Sequence, residues 1–401
     1  MTETFQEWLD TLRAKRRGWV QSSLDNEFDR GIWNATVAKY ADPTHFIFEL
    51  LQNAEDAGAS KAKFILNEDA IVFEHNGRPF NRDDIKGITG IGNTTKLEEA
   101  NKIGCFGIGF KSVYVVTQRP EVHCTIEGIP IAFAITDLVV PELIATAHTA
   151  SGTRIVLRLA PEKAGETIKA VRETLDSDGP RSLLFLQTMT QLDWGDESAP
   201  AWCDAEDGAG GVRTLHSTGG LGLIRSERFI LLERPVERQS EHQQEPDELQ
   251  AEPRRYTVKI ALRLNDGGDV EPEPETTRLS VFFETAEPTG LLFRLHGPFQ
   301  LTDNRANIKK HDAWNARLID ELAALLAESL PDLRDRGLVK RSFLEVMPNK
   351  DDSVPRTLAA NTGTRRRGIP DSGTPSDARW GSCCRPGRRQ GAVRHPRSPW
   401  R

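Results

Sequence analysis

Residues 48–59 form the stretch FELLQNAEDAGA, and its pattern predicts the first decisive element of the fold. Apolar residues recur at helical spacing and a glycine follows, so we expect a helix over about 43–57. Glu49, Asn53 and Asp56 are four and three residues apart, which places all three on one face of that helix. Two carboxyl groups and a carboxamide therefore share a stripe with apolar neighbours. The plainer alternative is a capping or salt-bridging face.

The composition is that of an ordinary soluble globular protein of 401 residues with a formal net charge of −7. Neither a signal peptide nor a long apolar run is present, so we expect a cytoplasmic protein without membrane contact. The five cysteines form no CxxC pair, which argues against a metal site built on cysteine. Residues 351–401 carry a net +7, whereas the preceding residues carry −14. This acidic body argues against nucleic-acid binding by the body.

The order of helical and strand patterns predicts four segments. We expect an N-terminal helical segment over 1–20, a layered α/β domain over 21–195 and a second, smaller α/β unit over 196–345. Within that second unit, a charged stretch near 235–255 is typical of an exposed loop. Residues 346–401 are rich in Arg, Pro and Gly and hold too few aliphatic residues to form a core, so we expect a disordered tail.

The tail leaves two interpretations open. Its positive charge is compatible with weak nucleic-acid binding. The abrupt change in composition is also compatible with a shifted reading frame or a truncated gene.

Four separated segments share features of a nucleotide site: the helix above, FEHNGRPF (73–80), IGCFGIGF (103–110) and SGTRIVLRL (151–159). Glycines within the third segment allow close approach to a phosphate, and the backbone N–H groups opening the next helix add an anion site. Asn53 suits Mg²⁺, which takes few protein ligands, and Glu49 one turn earlier could polarise a water. Each feature has a plainer interpretation when taken alone. The glycines can form an ordinary turn, Glu49 and Asn53 a salt-bridging face, and Thr153 can be an ordinary strand residue. The stretch is not a P-loop, because a phenylalanine separates the last glycine from the lysine.

Together the segments resemble the GHKL ATPases, the Bergerat-fold superfamily that includes Hsp90, DNA gyrase B, MutL and the histidine kinases. Within it they look most like the Hsp90-like domain of sacsin and its bacterial relatives. The phrases that carry this likeness are HFIFELLQNAEDAGA, FEHNGRPF, ITGIGNTTK and IGCFGIGFKSVY. The resemblance covers about residues 20–160 and is weaker at GPFQLTDNRANI in the second unit.

The resemblance implies an α+β two-layer sandwich with helices on one face of a mixed sheet. It implies Glu49 as general base, Asn53 as the Mg²⁺ ligand and Arg305 as a catalytic arginine reaching the nucleotide from the second unit. The residues that it implies in nucleotide binding are Asn53, Asp56, His75, Gly77, Phe80, Thr94, Lys96, Gly104, Phe106, Gly107, Ile108, Gly109, Phe110 and Thr153.

One departure concerns the base. Where most of the superfamily has an Asp that accepts a hydrogen bond from the adenine amino group, His75 stands here, and Pro79 replaces a glycine of the same motif. A neutral imidazole can accept one hydrogen bond, so adenine recognition remains an expectation. The alternative for His75 is a structural core histidine.

The resemblance therefore implies a Mg-dependent ATP-binding module. We expect a slow ATPase with a chaperone or conformational-switch role, protein clients and a homodimer. The alternative is a non-catalytic, nucleotide-gated scaffold within a larger defence or nucleic-acid-processing system. A histidine kinase is disfavoured, because no separate dimerisation helix with a phosphoacceptor histidine is apparent.

Overall fold

The computed structural model describes residues 4–25, 43–90, 109–145, 152–218, 223–238, 254–302 and 306–348. Within these ranges it contains α-helices, strands and two 3₁₀ helices. The α-helices are α1 (Phe5–Asp25), α2 (Phe46–Asp56), α3 (Arg82–Ile88), α4 (Ala164–Ser182), α5 (Ala313–Asp335) and α6 (Arg341–Val346). The 3₁₀ helices are Gly109–Val115 and Ala209–Gly211.

Fourteen strands make up the described sheet. They are β1 (Lys61–Leu66), β2 (Ala70–His75), β3 (Glu121–Ile126), β4 (Ile129–Thr136), β5 (Val140–Leu143), β6 (Thr153–Arg158), β7 (Gln191–Gly195), β8 (Pro200–Asp207), β9 (Val212–Thr218), β10 (Ile224–Arg238), β11 (Arg254–Leu264), β12 (Arg278–Val281), β13 (Phe283–Pro288) and β14 (Arg294–His296).

All of these strands belong to one mixed sheet. Their order is β13-β12-β14-β11-β10-β9-β8-β7-β1-β2-β6-β3-β4-β5. Neighbouring strands run antiparallel except in the pairs β1–β7 and β12–β14. The mixed α/β class is therefore confirmed, whereas the finer two-layer arrangement stays a prediction. The pairing of β7 with β8 connects the strands of the two predicted α/β units within one continuous sheet.

Two apolar cores lie along this sheet. In the first, Leu50 and Leu51 of α2 are buried with Phe64 and Phe73, whose rings lie 4.7 Å apart. These two phenylalanines are directly opposite each other on β1 and β2, where a cross-strand aromatic pair stabilises the sheet. The first core therefore fixes α2 against the strands that precede the candidate site.

The second core lies under α5, which packs on β10 and β11. The apolar stripe of α5 is buried in this core and consists of Leu318, Leu322, Leu325 and Leu326. Asp312 caps the helix, its side chain accepting from the Asn315 N–H at 2.8 Å.

Helix prediction agrees with the structure for α2, which spans Phe46–Asp56 inside the expected range. The structure differs from the predicted loop near 235–255 at both ends of that range, because β10 continues to Arg238 and β11 begins at Arg254. These ends are strand because they pair with each other in register. The expected disordered tail lies outside the described residues apart from its first three positions. No helix in the described part of the chain is long and apolar enough to cross a membrane.

Candidate functional site

A cavity lies where α2, the end of β2, α3, the first 3₁₀ helix and β6 meet. Most of its wall is apolar, and four polar side chains interrupt that wall. The lining residues are Leu50, Asn53, Ala57, Phe73, His75, Arg78, Phe80, Asp84, Ile88, Phe110 and Ile155. Apolar walls with a few placed polar groups are typical of small-molecule sites, since the walls bury the ligand and the polar groups orient it.

Helix α2 presents its polar stripe on the side of this cavity. Asn53 lines the wall, while Leu50 continues from the wall into the core. Glu49, one helical turn earlier, is only 3% exposed, and its Oε1 lies 3.2 Å from Nε2 of His45. Glu49 is not among the lining residues, so its carboxylate lies beside the cavity rather than in its wall.

Gly109 lies directly against that carboxylate. A Cβ added at Gly109 would lie 1.9 Å from Oε2 of Glu49, far inside van der Waals contact. Gly109 begins the first 3₁₀ helix, and the next residue, Phe110, lines the cavity. A glycine at this position therefore lets the end of the glycine-rich segment contact α2.

The turn after β2 is fixed against the end of α2. The side chain of Asn76 accepts hydrogen bonds from the backbone N–H groups of Ser60 and Lys61, both at 2.9 Å. A Cβ at Gly77 would lie 2.8 Å from the carbonyl oxygen of Ala57. Only glycine allows this approach, so the turn holds its shape next to the cavity.

His75 is a neutral histidine with a defined tautomer. Burial, followed by the nearby Arg78 guanidinium, lowers the pKa of His75 to about 4. The Gly77 N–H donates to its Nδ1 at 3.2 Å, so the single ring proton lies on Nε2. The ring lines the cavity, but the acceptor role expected for it conflicts with this bond, because the only acceptor nitrogen is already used.

Arg78 and Asp84 form an ion pair in the wall. Arg78 donates to both carboxylate oxygens of Asp84, at 2.5 and 2.9 Å. Asp84 also belongs to a capping box at the start of α3, in which its Oδ2 accepts from the Asn81 N–H at 2.9 Å. Sequence reasoning missed both residues as cavity residues, although the Asn-x-x-Asp spacing of this capping box was a visible signal.

Thr153 is opposite His75 in the register of β2 and β6. It is buried, and its Oγ1 has no hydrogen-bond partner among the described residues. The preceding Gly152 has φ +109°, and a Cβ there would lie 2.2 Å from the His75 carbonyl oxygen. Thr153 is not among the lining residues, so its hydroxyl lies beside the cavity rather than in its wall. A buried hydroxyl without a partner is rare in folded proteins.

Residues 32–131 match the family model of the Sacsin domain. The chain is also similar to Protein NO VEIN of Arabidopsis thaliana, with 38% identity over 89 residues, which are 21% of this chain and 3% of that protein. It is 33% identical to human Sacsin over 101 residues, which are 21% of this chain and 2% of that protein. The chain thus spans only a few per cent of the length of these relatives. The Sacsin-domain match contains α2, β2 and the turn of the cavity.

The other predicted site residues divide into two groups. Asp56 lies at the end of α2, and its charge contributes to raising the pKa of Arg78. Phe80 lies in the cavity wall. Thr94, Lys96, Gly104, Phe106, Gly107, Ile108 and Arg305 lie outside the described residues.

Lys111 is next in sequence to Phe110 of the cavity wall, but its side chain binds backbone carbonyl groups. Its Nζ donates to the carbonyl oxygen of Ile88 at 2.6 Å and also to that of Leu138. Burial, with a contribution from the Arg16 charge, lowers the pKa of Lys111 to about 7. These bonds connect the end of α3 to the first 3₁₀ helix, so the side chain has a structural role. In the described ranges no group of three or more His, Cys, Asp or Glu side chains is placed to hold a metal ion.

Proposed function

We propose that the cavity binds a magnesium nucleoside triphosphate and that the protein works as a nucleotide-driven conformational switch. The observation that supports this most is the convergence of Asn53, His75, Phe80 and Phe110, all predicted from sequence, on one cavity. The Sacsin-domain match over 32–131 supports a sacsin-related role. ATP is the nucleotide that the resemblance to GHKL ATPases implies.

In this proposal the base enters the largely apolar cavity and the phosphates extend toward the glycine-rich segment that ends at Gly109. Asn53 offers an amide oxygen at the wall, which suits Mg²⁺ as one of few protein ligands. When bound, Mg²⁺ neutralises charge on the phosphate oxygens. The fit is limited to this oxygen, because no carboxylate cluster accompanies it in the described structure.

For hydrolysis, Glu49 is the proposed general base. It lies one helical turn before Asn53 and against Gly109, so its carboxylate lies at the boundary between α2 and the glycine-rich segment. From there it would take the proton of the attacking water. Arg305 is proposed to act on the γ-phosphate from the second unit, and closure of the segment around the nucleotide would be the switch.

Binding can be tested on the full chain by thermal unfolding with and without Mg-ATP. We expect stabilisation of about 2.7 kcal/mol at a hundredfold excess over Kd, and its loss in Asn53→Ala. Asn67→Ala, in the exposed turn after β1, is the matched control and should respond like wild type. Absence of a nucleotide response in wild type and control alike would contradict the proposed function.

Catalysis can be tested in single-turnover assays of Glu49→Gln. We expect near-normal binding and a rate lower by roughly 10²–10⁴-fold, the usual contribution of a general base. Glu68→Gln, in the same exposed turn as the first control, should leave the rate unchanged.

A nucleotide-gated scaffold without catalysis is the second candidate. It is favoured by one observation: the Glu49 carboxylate does not line the cavity and is bonded to His45 at 3.2 Å. Binding of Mg-ATP by wild type without measurable turnover would support this candidate and remove the catalytic one.

A further inference from the structure

The tautomer of His75 determines what the cavity can recognise. A backbone N–H is always a donor, so the Gly77 N–H, 3.2 Å from Nδ1, requires that nitrogen to be unprotonated. A neutral imidazole then carries its proton on Nε2. Because the ring lines the cavity, the group that it can offer a ligand is a hydrogen-bond donor.

The other charged groups of the wall do not supply a free acceptor. Both carboxylate oxygens of Asp84 accept from Arg78, and one of them also accepts from Asn81. Arg78 is itself only a donor. The remaining polar side chain of the wall, Asn53, has an acceptor oxygen, which the proposed function assigns to Mg²⁺.

Thr153 provides the complementary group. It is directly opposite His75 on the neighbouring strand, so their side chains lie on the same face of the sheet. Its buried hydroxyl has no partner among the described residues and can either accept or donate. A donor at His75 and a hydroxyl beside it match a ligand that presents an acceptor next to an N–H.

Resting on the proposed function, we propose that this cavity selects 6-oxopurine nucleotides, such as GTP or ITP, over ATP. A 6-oxopurine presents the acceptor O6 beside the donor N1–H. O6 accepts from Nε2–H of His75, and N1–H donates to Oγ1 of Thr153. Adenine presents an amino donor to the His75 donor, which leaves both groups without a partner. Such mismatches typically change affinity by roughly tenfold or more.

The test is the affinity of the full chain for Mg-ATP and Mg-ITP, measured by isothermal titration calorimetry. The two nucleotides have the same shape and differ in the groups at C6 and N1. We expect wild type to bind ITP about tenfold more tightly than ATP. His75→Asp places an acceptor at this position and should reverse the preference, whereas His216→Asp, at a half-buried position of β9 away from the cavity, should not.

A second variant, His75→Gln, keeps the test decisive if His75→Asp fails to fold. In His75→Gln the amide can present either a donor or an acceptor, so the two affinities should become equal. Wild-type preference for ATP, or equal wild-type affinities, would overturn this inference and leave the proposed function standing. Binding of neither nucleotide would overturn the proposed function itself.

Discussion

Replacement of Gly109 by alanine tests the central contact of the site. The added Cβ would lie 1.9 Å from Oε2 and 2.9 Å from Cδ of Glu49, whereas carbon contacts are comfortable only near 3.5–4.0 Å. The carboxylate must therefore move by about 1.5 Å in a position where it is 3% exposed. Overpacking of this kind costs about 1–3 kcal/mol, so we expect Gly109→Ala to lower the free energy of unfolding by about 2 kcal/mol.

A double-mutant cycle identifies the clash as the cause. Glu49→Ala removes the carboxylate and leaves room for the new methyl group. In that background Gly109→Ala should cost less than about 0.5 kcal/mol. The coupling energy is then about 1.5 kcal/mol in magnitude, which is of the size seen between residues in contact. Gly109 does not have a positive φ, so backbone strain does not supply a competing cost.

The assay is urea unfolding of the full chain at constant pH, without nucleotide. Gly165→Ala is the matched control: Gly165 lies in α4 with nothing within 4 Å of an added Cβ. Alanine there should be neutral or stabilise by up to about 1 kcal/mol, because glycine is a poor helix former. An equal cost of Gly109→Ala with and without the Glu49 carboxylate would refute the reasoning.

Three further predictions concern ionisable side chains. The pKa of His75 is about 4 in the folded chain and about 6.5 in the unfolded chain, so the unfolded chain binds a proton first as the pH falls. Between pH 7 and pH 5 the free energy of unfolding of wild type should therefore fall by about 2 kcal/mol more than that of His75→Asn, as measured in urea titrations. The pKa of Lys111 is about 7 in the folded chain and about 10.5 in the unfolded chain, so the same argument applies at higher pH. Between pH 9 and pH 7 the free energy of unfolding of wild type should fall by about 2 kcal/mol relative to Lys111→Met, and an identical pH dependence of the two proteins would contradict this. Glu55 accepts from three successive N–H groups of residues 187–189 at 2.7–2.9 Å; Glu55→Gln should cost about 1–3 kcal/mol and speed hydrogen exchange at those amides.

Local pattern was sufficient for the elements near the site. Helix α2 was predicted because helical periodicity is a property of neighbouring residues. The approach of four distant segments followed from the resemblance, and the structure brings described residues of each to the same region.

What could not be predicted depends on contacts between distant residues. The parallel pairing of β1 with β7 joins residues 61–65 to 191–195, and no local signal specifies it. The tautomer of His75 is set by a backbone N–H two residues later, which depends on the shape of the turn. The acceptor role predicted for this histidine depends on that turn, and the ring itself lies in the cavity wall.

Helix α2 is the element that connects the cavity to the rest of the sheet. On one side, the ring of Phe48 lies 5.2 Å from that of Phe283 on β13, at the far edge of the strand order. At the other end, Glu55 holds the loop 187–189 just before β7. Both contacts belong to the first core, which includes Phe283 and Met189. Since Asn53 lies between these two contacts, a displacement of α2 on ligand binding must be accommodated by β13 or by this loop, which gives the cavity a physical connection to the second unit.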